Sequence, residues 1–173
     1  HFNAPYEDCN SDYTGQGYDQ LQECINLIKN DPHSRRILMS GWNPSQFKDM
    51  CLPPCHVSYQ FYVNNNKLSC HMYQRSADMF LGNPFNIAST ALLTHMIAHV
   101  TNLDVGKIVI CIGDAHIYNN HYEQIEKQLD RSPRVFPRLI INNKKKNIEE
   151  ITIEDLELVN YLPYPGIKAD MVA

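Results

Sequence analysis

The 173-residue chain lacks several features that would assign it quickly to a class. Its formal net charge is −4, so it has no basic excess of the kind that a general nucleic-acid-binding domain carries. Its longest apolar runs, such as IVICI at 108–112, are far too short to span a membrane. It has no N-glycosylation sequon, because the Asn-x-Ser stretch at Asn43 has proline in the middle. These absences argue against a nucleic-acid binder, a membrane-spanning protein and a secreted glycoprotein.

Cysteine is too sparse for a disulfide scaffold. No secretory signal is visible, so we expect reduced thiols and a cytoplasmic protein, with the nucleus as a second location. Cys51 and Cys55 form a C-x₃-C motif without a second pair, and the histidines follow no ligand spacing, so we predict no metal site. The six cysteines are Cys9, Cys24, Cys51, Cys55, Cys70 and Cys111.

Length and hydrophobic pattern predict one α+β domain. A long, mostly apolar helix with proline at its first position is expected at 84–100 as a buried central helix, and a mixed, curled sheet should pack around it. The strand pattern includes a hairpin with its turn at 64–66 and Leu68, Cys70 and Met72 on one face. The remaining predicted segments are helices at 18–30 and 120–130 and strands at 35–42, 56–63, 67–74, 107–112 and 138–142.

Cys55 stands at the mouth of a predicted strand, directly after Pro53 and Pro54. A free cysteine is usually a small buried apolar residue, but two prolines stiffen this approach and could hold a nucleophile in place. Successive strand residues point to opposite faces, so His56 is not automatically the base for Cys55. Activation would have to come from elsewhere, for example from an arginine that favours the thiolate.

The stretch YQRSADMFLGNPFN at 73–86 has the composition of a ligand pocket, with a few polar groups among apolar ones. Arg75 and Ser76 lie where a strand is expected to leave the sheet, a suitable place for a phosphate. Asn86, near the start of the apolar helix, is either one of the oriented polar groups of such a pocket or a satisfied core amide or helix cap.

Two further groups could contact a nucleotide. His116 and Tyr118 should project from one face if the strand before them continues, and both could bind a sugar hydroxyl or form a surface pair. Arg35 and Arg36 would point apart in a regular strand, but in a loop both could reach one phosphate. The residues alone therefore indicate a nucleotide-like anion pocket beside a potentially nucleophilic thiol.

Taken together, these segments resemble the thymidylate synthase family over the entire chain. The resemblance implies that family's α+β fold, with sheet faces forming a homodimer. It also implies reductive methylation of dUMP to dTMP, with 5,10-methylenetetrahydrofolate as co-substrate and no metal. The matching motifs, in order, are DCNSDYTGQGYDQLQ, SRRILMSGWNP, LPPCH, YQRSADMFLGNPFNIAS and GDAHIYNNH.

The resemblance also implies roles for individual residues. Cys55 matches the nucleophile that adds to uracil C6, and Arg35 and Arg36 match arginines that reach the partner's active site. Asn86 matches the residue that reads the uracil N3–H and O4 edge. The full dUMP set is Arg35, Arg36, Cys55, His56 (through ordered water), Gln74, Arg75 and Ser76 (phosphate), Ala77, Asp78, Asn86, and His116 and Tyr118 (3′-hydroxyl). The folate set is Asp78, Leu81, Gly82, Phe85, Met171 and Val172.

Some positions depart from the family pattern. From the resemblance, we expect residues 1–173 to be the catalytic domain without the family's N-terminal part, which in the family supplies further active-site groups. A trimmed chain, a piece of a longer polypeptide (including one fused to dihydrofolate reductase) and a missing companion chain would each explain this. Phe80, Asn83 and Thr90 differ from the usual residues, and the sequence ends in DMVA instead of a bulkier aliphatic residue.

Three other functions remain alternatives. A pyrimidine hydroxymethylase of the same fold would quench the intermediate with water instead of hydride, although Asn86 favours uracil over cytosine. A catalytically silent interaction subunit would fit the missing N-terminal part. A Cys-His hydrolase would need an oxyanion loop and an orienting Asn, and the sequence places neither.

Overall fold

A computed structural model describes residue 7 and residues 10–142 and 144–172. Within these described residues, the chain forms three α-helices and six strands. The helices are α1 (Gln20–Asn30), α2 (Asn83–Thr101) and α3 (Tyr122–Leu129). The strands are β1 (Leu38–Ser40), β2 (His56–Asn64), β3 (Lys67–Asp78), β4 (Asp104–His116), β5 (Arg138–Ile141) and β6 (Leu156–Val159). They follow in the order α1, β1, β2, β3, α2, β4, α3, β5, β6. Asp8, Cys9 and Ala173, which the sequence interpretation included, lie outside the described residues.

The main sheet has the order β1-β2-β3-β4 and is mixed, as expected. The first three strands are antiparallel, whereas β3 and β4 are parallel and are joined through α2. The β2–β3 hairpin turns at Asn65 and Asn66, whose φ angles are 49° and 58°. Asparagine tolerates this left-handed region, which a tight two-residue hairpin requires. The asparagine turn therefore fixes the register of the two longest antiparallel neighbours.

One face of the sheet forms the core. Leu68, Cys70 and Met72 are almost fully buried on this face, which confirms the alternation predicted from the sequence. The face packs against α1 and α2, with Ile25 of α1 and Ile97 of α2 in the same cluster. Burial of such side chains is the main favourable term in folding, so this cluster holds the sheet and the helices together.

Helix α2 forms where its apolar run predicted it, but its burial here is one-sided. Thr94, Ile97 and Ala98 are buried, whereas Phe85 in the first turn is 77% exposed. A sheet curled around a long buried helix therefore stays a prediction for this chain. No helix among residues 7, 10–142 and 144–172 is long and apolar enough to cross a membrane.

Three segments differ from the sequence prediction. The strand expected at 35–42 is only β1, because Leu38 N–H bonds the Arg36 carbonyl and turns the chain there. Strand β3 continues to Asp78, so Arg75 and Ser76 lie within the ladder and not at its exit. Strand β6, which pairs with β5, was not predicted at all.

Candidate active site

Three strand ends meet at one edge of the main sheet. At the start of β2, His56 lies opposite Gln74 of β3. At the ends of β3 and β4, Asp78 lies opposite His116. Because β3 and β4 are parallel, their carboxyl ends share this edge, and antiparallel β2 begins there. The topology thus brings together the start of β2, the polar end of β3 and the histidine of β4.

The loop that carries Cys55 is fastened by Arg75. Its Nη2 donates to the Pro53 carbonyl at 2.6 Å and its Nε donates to the Pro54 carbonyl at 3.2 Å. The Arg75 backbone N–H also donates to the Cys55 carbonyl at 2.9 Å. The third guanidinium nitrogen, Nη1, is not part of this clamp. Cys55 is a half-buried free thiol at the head of β2.

Trp42 is a second clamp on the same loop, and sequence reasoning missed it. Its indole Nε1–H donates to the Pro54 carbonyl at 2.9 Å, and its ring stacks edge-on against Phe47 at 4.7 Å. Prolines have no N–H of their own, but their carbonyls still need donors when they are partly buried. The Pro-Pro sequence could therefore have predicted that some donor binds these carbonyls, but it could not have identified Trp42 as that donor.

His56 follows Cys55 directly in the sequence, but its ring contacts Tyr59 and not the thiol. Its Nδ1 is 2.7 Å from the Tyr59 hydroxyl, and among the described residues its buried Nε2 has no partner. Burial lowers the pKa of the His56 ring, which favours the neutral imidazole. A neutral ring with one unpaired nitrogen suits the water-holding role, which stays a prediction.

A hydrogen bond from the buried Gln74 amide orients the half-buried Asn86. The Gln74 side chain is 1% exposed, and its Nε2 donates to Asn86 Oδ1 at 2.8 Å and to the Ser76 carbonyl at 2.9 Å. The Asn86 oxygen is therefore satisfied by the protein, and the amide Nδ2 is not part of this bond. Gln74 thus fixes the orientation of the Asn86 amide, with its oxygen toward Gln74. The amino-acid composition of this stretch could not predict that orientation.

Asp78 shapes the turn that leads into α2. Its Oδ1 accepts the backbone N–H groups of Phe80 at 3.0 Å and Leu81 at 3.2 Å. Gly82 packs closely against it, because a Cβ there would lie 3.3 Å from the Asp78 carbonyl oxygen. Leu81 is half-buried and Phe85 is exposed, so apolar side chains flank Asn86 at the helix start. Ala77, between Ser76 and Asp78, is 2% exposed and fills the core.

His116 and Tyr118 lie side by side, as their spacing predicted. The backbone remains extended at Tyr118, and the two rings are 5.1 Å apart in an edge-on arrangement. The His116 Nδ1 is 3.0 Å from Asp114 Oδ1, a partner that sequence reasoning did not identify. The His116 carbonyl accepts Met79 N–H at 2.9 Å, so this pair is joined to the turn after β3.

Arg35 and Arg36 are not brought to Cys55 within this chain. Both are exposed, and they precede Leu38, which pairs with Gln60. Gln60 is five residues along β2 from Cys55, or about 17 Å of strand at the usual rise. The two arginines therefore lie toward the opposite end of the sheet from the thiol.

The chain end, in contrast, lies near the site. Asp170 is held by His121, whose ring contacts Phe80 and Tyr118. Met171 and Val172 follow directly, and Met171 is largely exposed. Within the part of the chain that the structure describes, no group of three or more His, Cys, Asp or Glu side chains could hold a metal ion.

These features define a class: an α+β protein in which a half-buried thiol, a clamping arginine and an oriented amide lie at one edge of a mixed sheet. The sequence model of the thymidylate synthase family matches residues 1–173. The chain belongs to the thymidylate synthase family.

Curated relatives agree with this assignment. Thymidylate synthase from Candida albicans is 52% identical over 99% of this chain and 61% of its own length. The Homo sapiens thymidylate synthase is 54% identical over 99% of this chain and 55% of its own length. The bifunctional dihydrofolate reductase-thymidylate synthase from Zea mays is 55% identical over 99% of this chain and 33% of its own length. The chain thus spans between about a third and three fifths of these relatives.

Proposed function

We propose that the protein to which this chain belongs converts dUMP to dTMP with 5,10-methylenetetrahydrofolate. The observation that carries this proposal is the Arg75 clamp, because it fixes the Cys55 loop through two carbonyl groups and one backbone bond. A nucleophile aimed at one carbon of a bound pyrimidine needs such fixed geometry, since small displacements are costly in rate. Family membership and the names of the relatives support the same activity.

The proposed chemistry begins with a covalent bond between the Cys55 sulfur and uracil C6. This addition makes C5 a carbon nucleophile, which forms a bond to the methylene carbon of the folate. Loss of the C5 proton and elimination of tetrahydrofolate leave an exocyclic methylene. Hydride transfer from tetrahydrofolate and departure of the Cys55 sulfur then give dTMP and dihydrofolate. The reducing equivalent comes from the folate itself, so no further reductant is needed.

The nucleotide would lie along the edge where the strand ends meet. Arg75 and Ser76 bind the phosphate, and His116 and Tyr118 bind the 3′-hydroxyl. Asn86 donates to uracil O4 through its Nδ2 and accepts the N3–H through Oδ1, which Gln74 already orients. A carbonyl oxygen has two lone pairs, so it can accept from Gln74 and from N3–H together. Gln74, Ala77, Asp78 and His56, with its ordered water, complete this wall.

The folate would stack on the apolar side of the same edge. Leu81 and Phe85 provide apolar contact, Gly82 allows close approach, and the Asp78 carboxylate meets the pterin ring. Met171 and Val172 close over the bound folate from the chain end. The exposed Phe85 side chain supports this assignment, because it leaves an apolar surface available beside Asn86.

The active protein would be a homodimer in which Arg35 and Arg36 bind the phosphate in the partner's site. Their distance along the sheet from Cys55 supports this, since they cannot serve the site of their own chain. The outer sheet face also exposes Leu38, Tyr62 and Val109, which a second copy could cover. We place the enzyme in the cytoplasm, with the nucleus as a second location.

Product analysis tests this function. The full-length gene product is incubated with dUMP and 5,10-methylenetetrahydrofolate, and the nucleotides are separated by chromatography. We expect dTMP and an equal amount of dihydrofolate. Hydroxymethyl-dUMP without dihydrofolate would identify the hydroxymethylase instead, and unchanged dUMP would support the silent subunit.

A further inference from the structure

The chain end is tied to the protein interior by a histidine that no role above uses. His121 is 0% exposed, and its Nε2 is 2.8 Å from the carbonyl oxygen of Asp170, which lies 49 residues later in the sequence. An N–H donor that is fully removed from water and directed at a backbone carbonyl makes a costly bond to break. This contact therefore holds the chain end at one defined residue.

The His121 ring is fixed by its neighbours. Phe80 lies 5.5 Å away and Tyr118 lies 5.7 Å away, measured between ring centroids. Tyr118 in turn contacts His116, and Phe80 follows Asp78 by two residues. Within the described residues the buried His121 Nδ1 has no hydrogen-bond partner, so the Asp170 contact is the polar bond that orients the ring. The ring packs between the proposed sugar-binding pair and the turn that leads into the folate wall.

A cleft of about 490 Å³ lies beneath this part of the chain end. Leu81, Asn120 and Gln124 line it together with Ile167, Lys168 and Asp170 from the chain end. Beyond Asp170, Met171 is 86% exposed and Val172 is 39% exposed. Asp170 is itself exposed, so this part of the chain is held there by the hydrogen bond to the buried His121 and not by burial of the Asp170 side chain.

We propose that His121 is a positioning residue that anchors the chain end at Asp170 and places the hinge of the closing segment after that residue. Residues up to Asp170 then stay in place, and Met171 and Val172 move when folate binds. This inference rests on the proposed function in one respect, namely that the closing segment covers a bound folate. The anchor itself does not depend on the reaction.

Trypsin cleavage after Lys168 tests the anchor without any activity measurement. We expect His121→Leu to raise the rate of cleavage at Lys168 roughly fivefold to tenfold, the factor that corresponds to loss of one hydrogen bond of ordinary strength. His121→Gln, which keeps an N–H donor at the end of the side chain, should restore at least half of the lost protection. His33→Leu, at an exposed histidine, is the matched control and should not change the rate.

A second variant keeps the test valid if His121→Leu does not fold. Met171→Gly/Val172→Gly alters only the segment beyond the anchor, so protection at Lys168 should stay within twofold of wild type. Protection lost in this variant would show that the terminal residues hold the segment, and would overturn the proposal. Equal cleavage of wild type and folded His121→Leu would also overturn it, as would a His121→Gln variant as sensitive as His121→Leu.

Steady-state kinetics then test the role in closure. We expect the His121→Leu enzyme to have a KM for the folate raised roughly tenfold, with the KM for dUMP unchanged within twofold. A change confined to kcat, or an equal rise in both KM values, would contradict the assignment. If the wild-type enzyme forms no dTMP, the proposed function fails, but the trypsin result still decides whether His121 anchors the chain end.

Discussion

Cys55 follows two prolyl carbonyls that no strand partner takes up, and two side chains supply the missing donors. Arg75 bonds both carbonyls, and Trp42 bonds the second one. Prolines alone restrict φ, but they do not determine where the loop lies relative to the sheet. The position of the sulfur therefore depends on these two donors as much as on the Pro-Pro sequence.

Removing the indole donor should affect the reaction of the sulfur more than nucleotide binding. We expect Trp42→Phe to destabilise the protein by about 1 kcal/mol, because the Pro54 carbonyl loses one of its donors. Covalent capture of a nucleotide by Cys55 should slow roughly tenfold, with the Kd for dUMP within twofold of wild type. Urea denaturation measures the loss of stability, and mass spectrometry of samples quenched at successive times measures the rate of covalent capture.

Phe47→Leu is the control for the Trp42 variant, because it removes the edge-on ring contact and leaves the Trp42 hydrogen bond in place. It should lower stability without slowing capture. Equal slowing in both variants would show that packing around Trp42, and not its hydrogen bond, positions the loop.

Because Gln74 orients the Asn86 amide, we expect this one side chain to select uracil over cytosine. In Asn86→Asp, one carboxylate oxygen can still accept from Gln74, and the other would accept from the 4-amino group of cytosine. We expect the ratio of kcat/KM for dUMP to that for dCMP to fall by roughly a hundredfold, since a donor at this position becomes an acceptor. Asn102→Asp, at the other end of α2, should leave the ratio unchanged. An unaltered ratio in Asn86→Asp would refute the assignment of Asn86.

At the scale of elements, the start of β2 depends on a close backbone approach. A Cβ at Gly41 would lie 2.6 Å from the His56 carbonyl oxygen, whereas a Cβ at Gly166 would meet nothing within 4 Å. Gly41 N–H also bonds the Val57 carbonyl at 2.9 Å, which closes β1 onto β2. This glycine therefore allows the chain to pass directly beside the Cys55–His56 segment.

We expect Gly41→Ala to destabilise the protein by about 1–3 kcal/mol, the usual cost of forcing an atom into a packed site. Gly166→Ala should change stability by less than about 0.5 kcal/mol. Urea denaturation of both variants measures the difference. Equal stability would mean that the β1–β2 junction relaxes without cost.

The elements with a clear period were predictable, and those held by tertiary contacts were not. The alternation of Leu68, Cys70 and Met72 identified β3, and the spacing of His116 and Tyr118 placed their rings together. Strand β6 has only four residues, and it is recognisable as a strand only through its antiparallel pairing with β5.

The same distinction applies to the site. The resemblance named Gln74 and Asn86, but the bond between them joins a strand to a helix. The His121–Asp170 contact joins residues 49 apart. Local sequence patterns carry no signal for such partners, because the pairing exists only once the sheet edge has formed.

At the scale of the whole molecule, the position of Arg35 and Arg36 predicts a shared site. Mixed dimers of Cys55→Ser and Arg35→Ala/Arg36→Ala contain one intact site, made of Cys55 from one chain and the arginines from the other. Random reassortment makes half of the dimers mixed, so we expect activity to recover to about one quarter of the wild-type value. Refolding the two inactive variants together and assaying dTMP formation measures this. Activity no higher than the sum of the parents would show that each chain uses its own arginines.

The most direct measurement of the central claim is the mass of the protein after incubation with 5-fluoro-dUMP and 5,10-methylenetetrahydrofolate. Fluorine at C5 cannot leave as a proton does, so a reaction through uracil C6 should stop as a covalent complex of protein, nucleotide and folate. We expect this mass on the peptide that contains Cys55, retained in Cys51→Ser and absent in Cys55→Ser. Full-length protein without the adduct, or with the adduct on Cys51, would contradict the account.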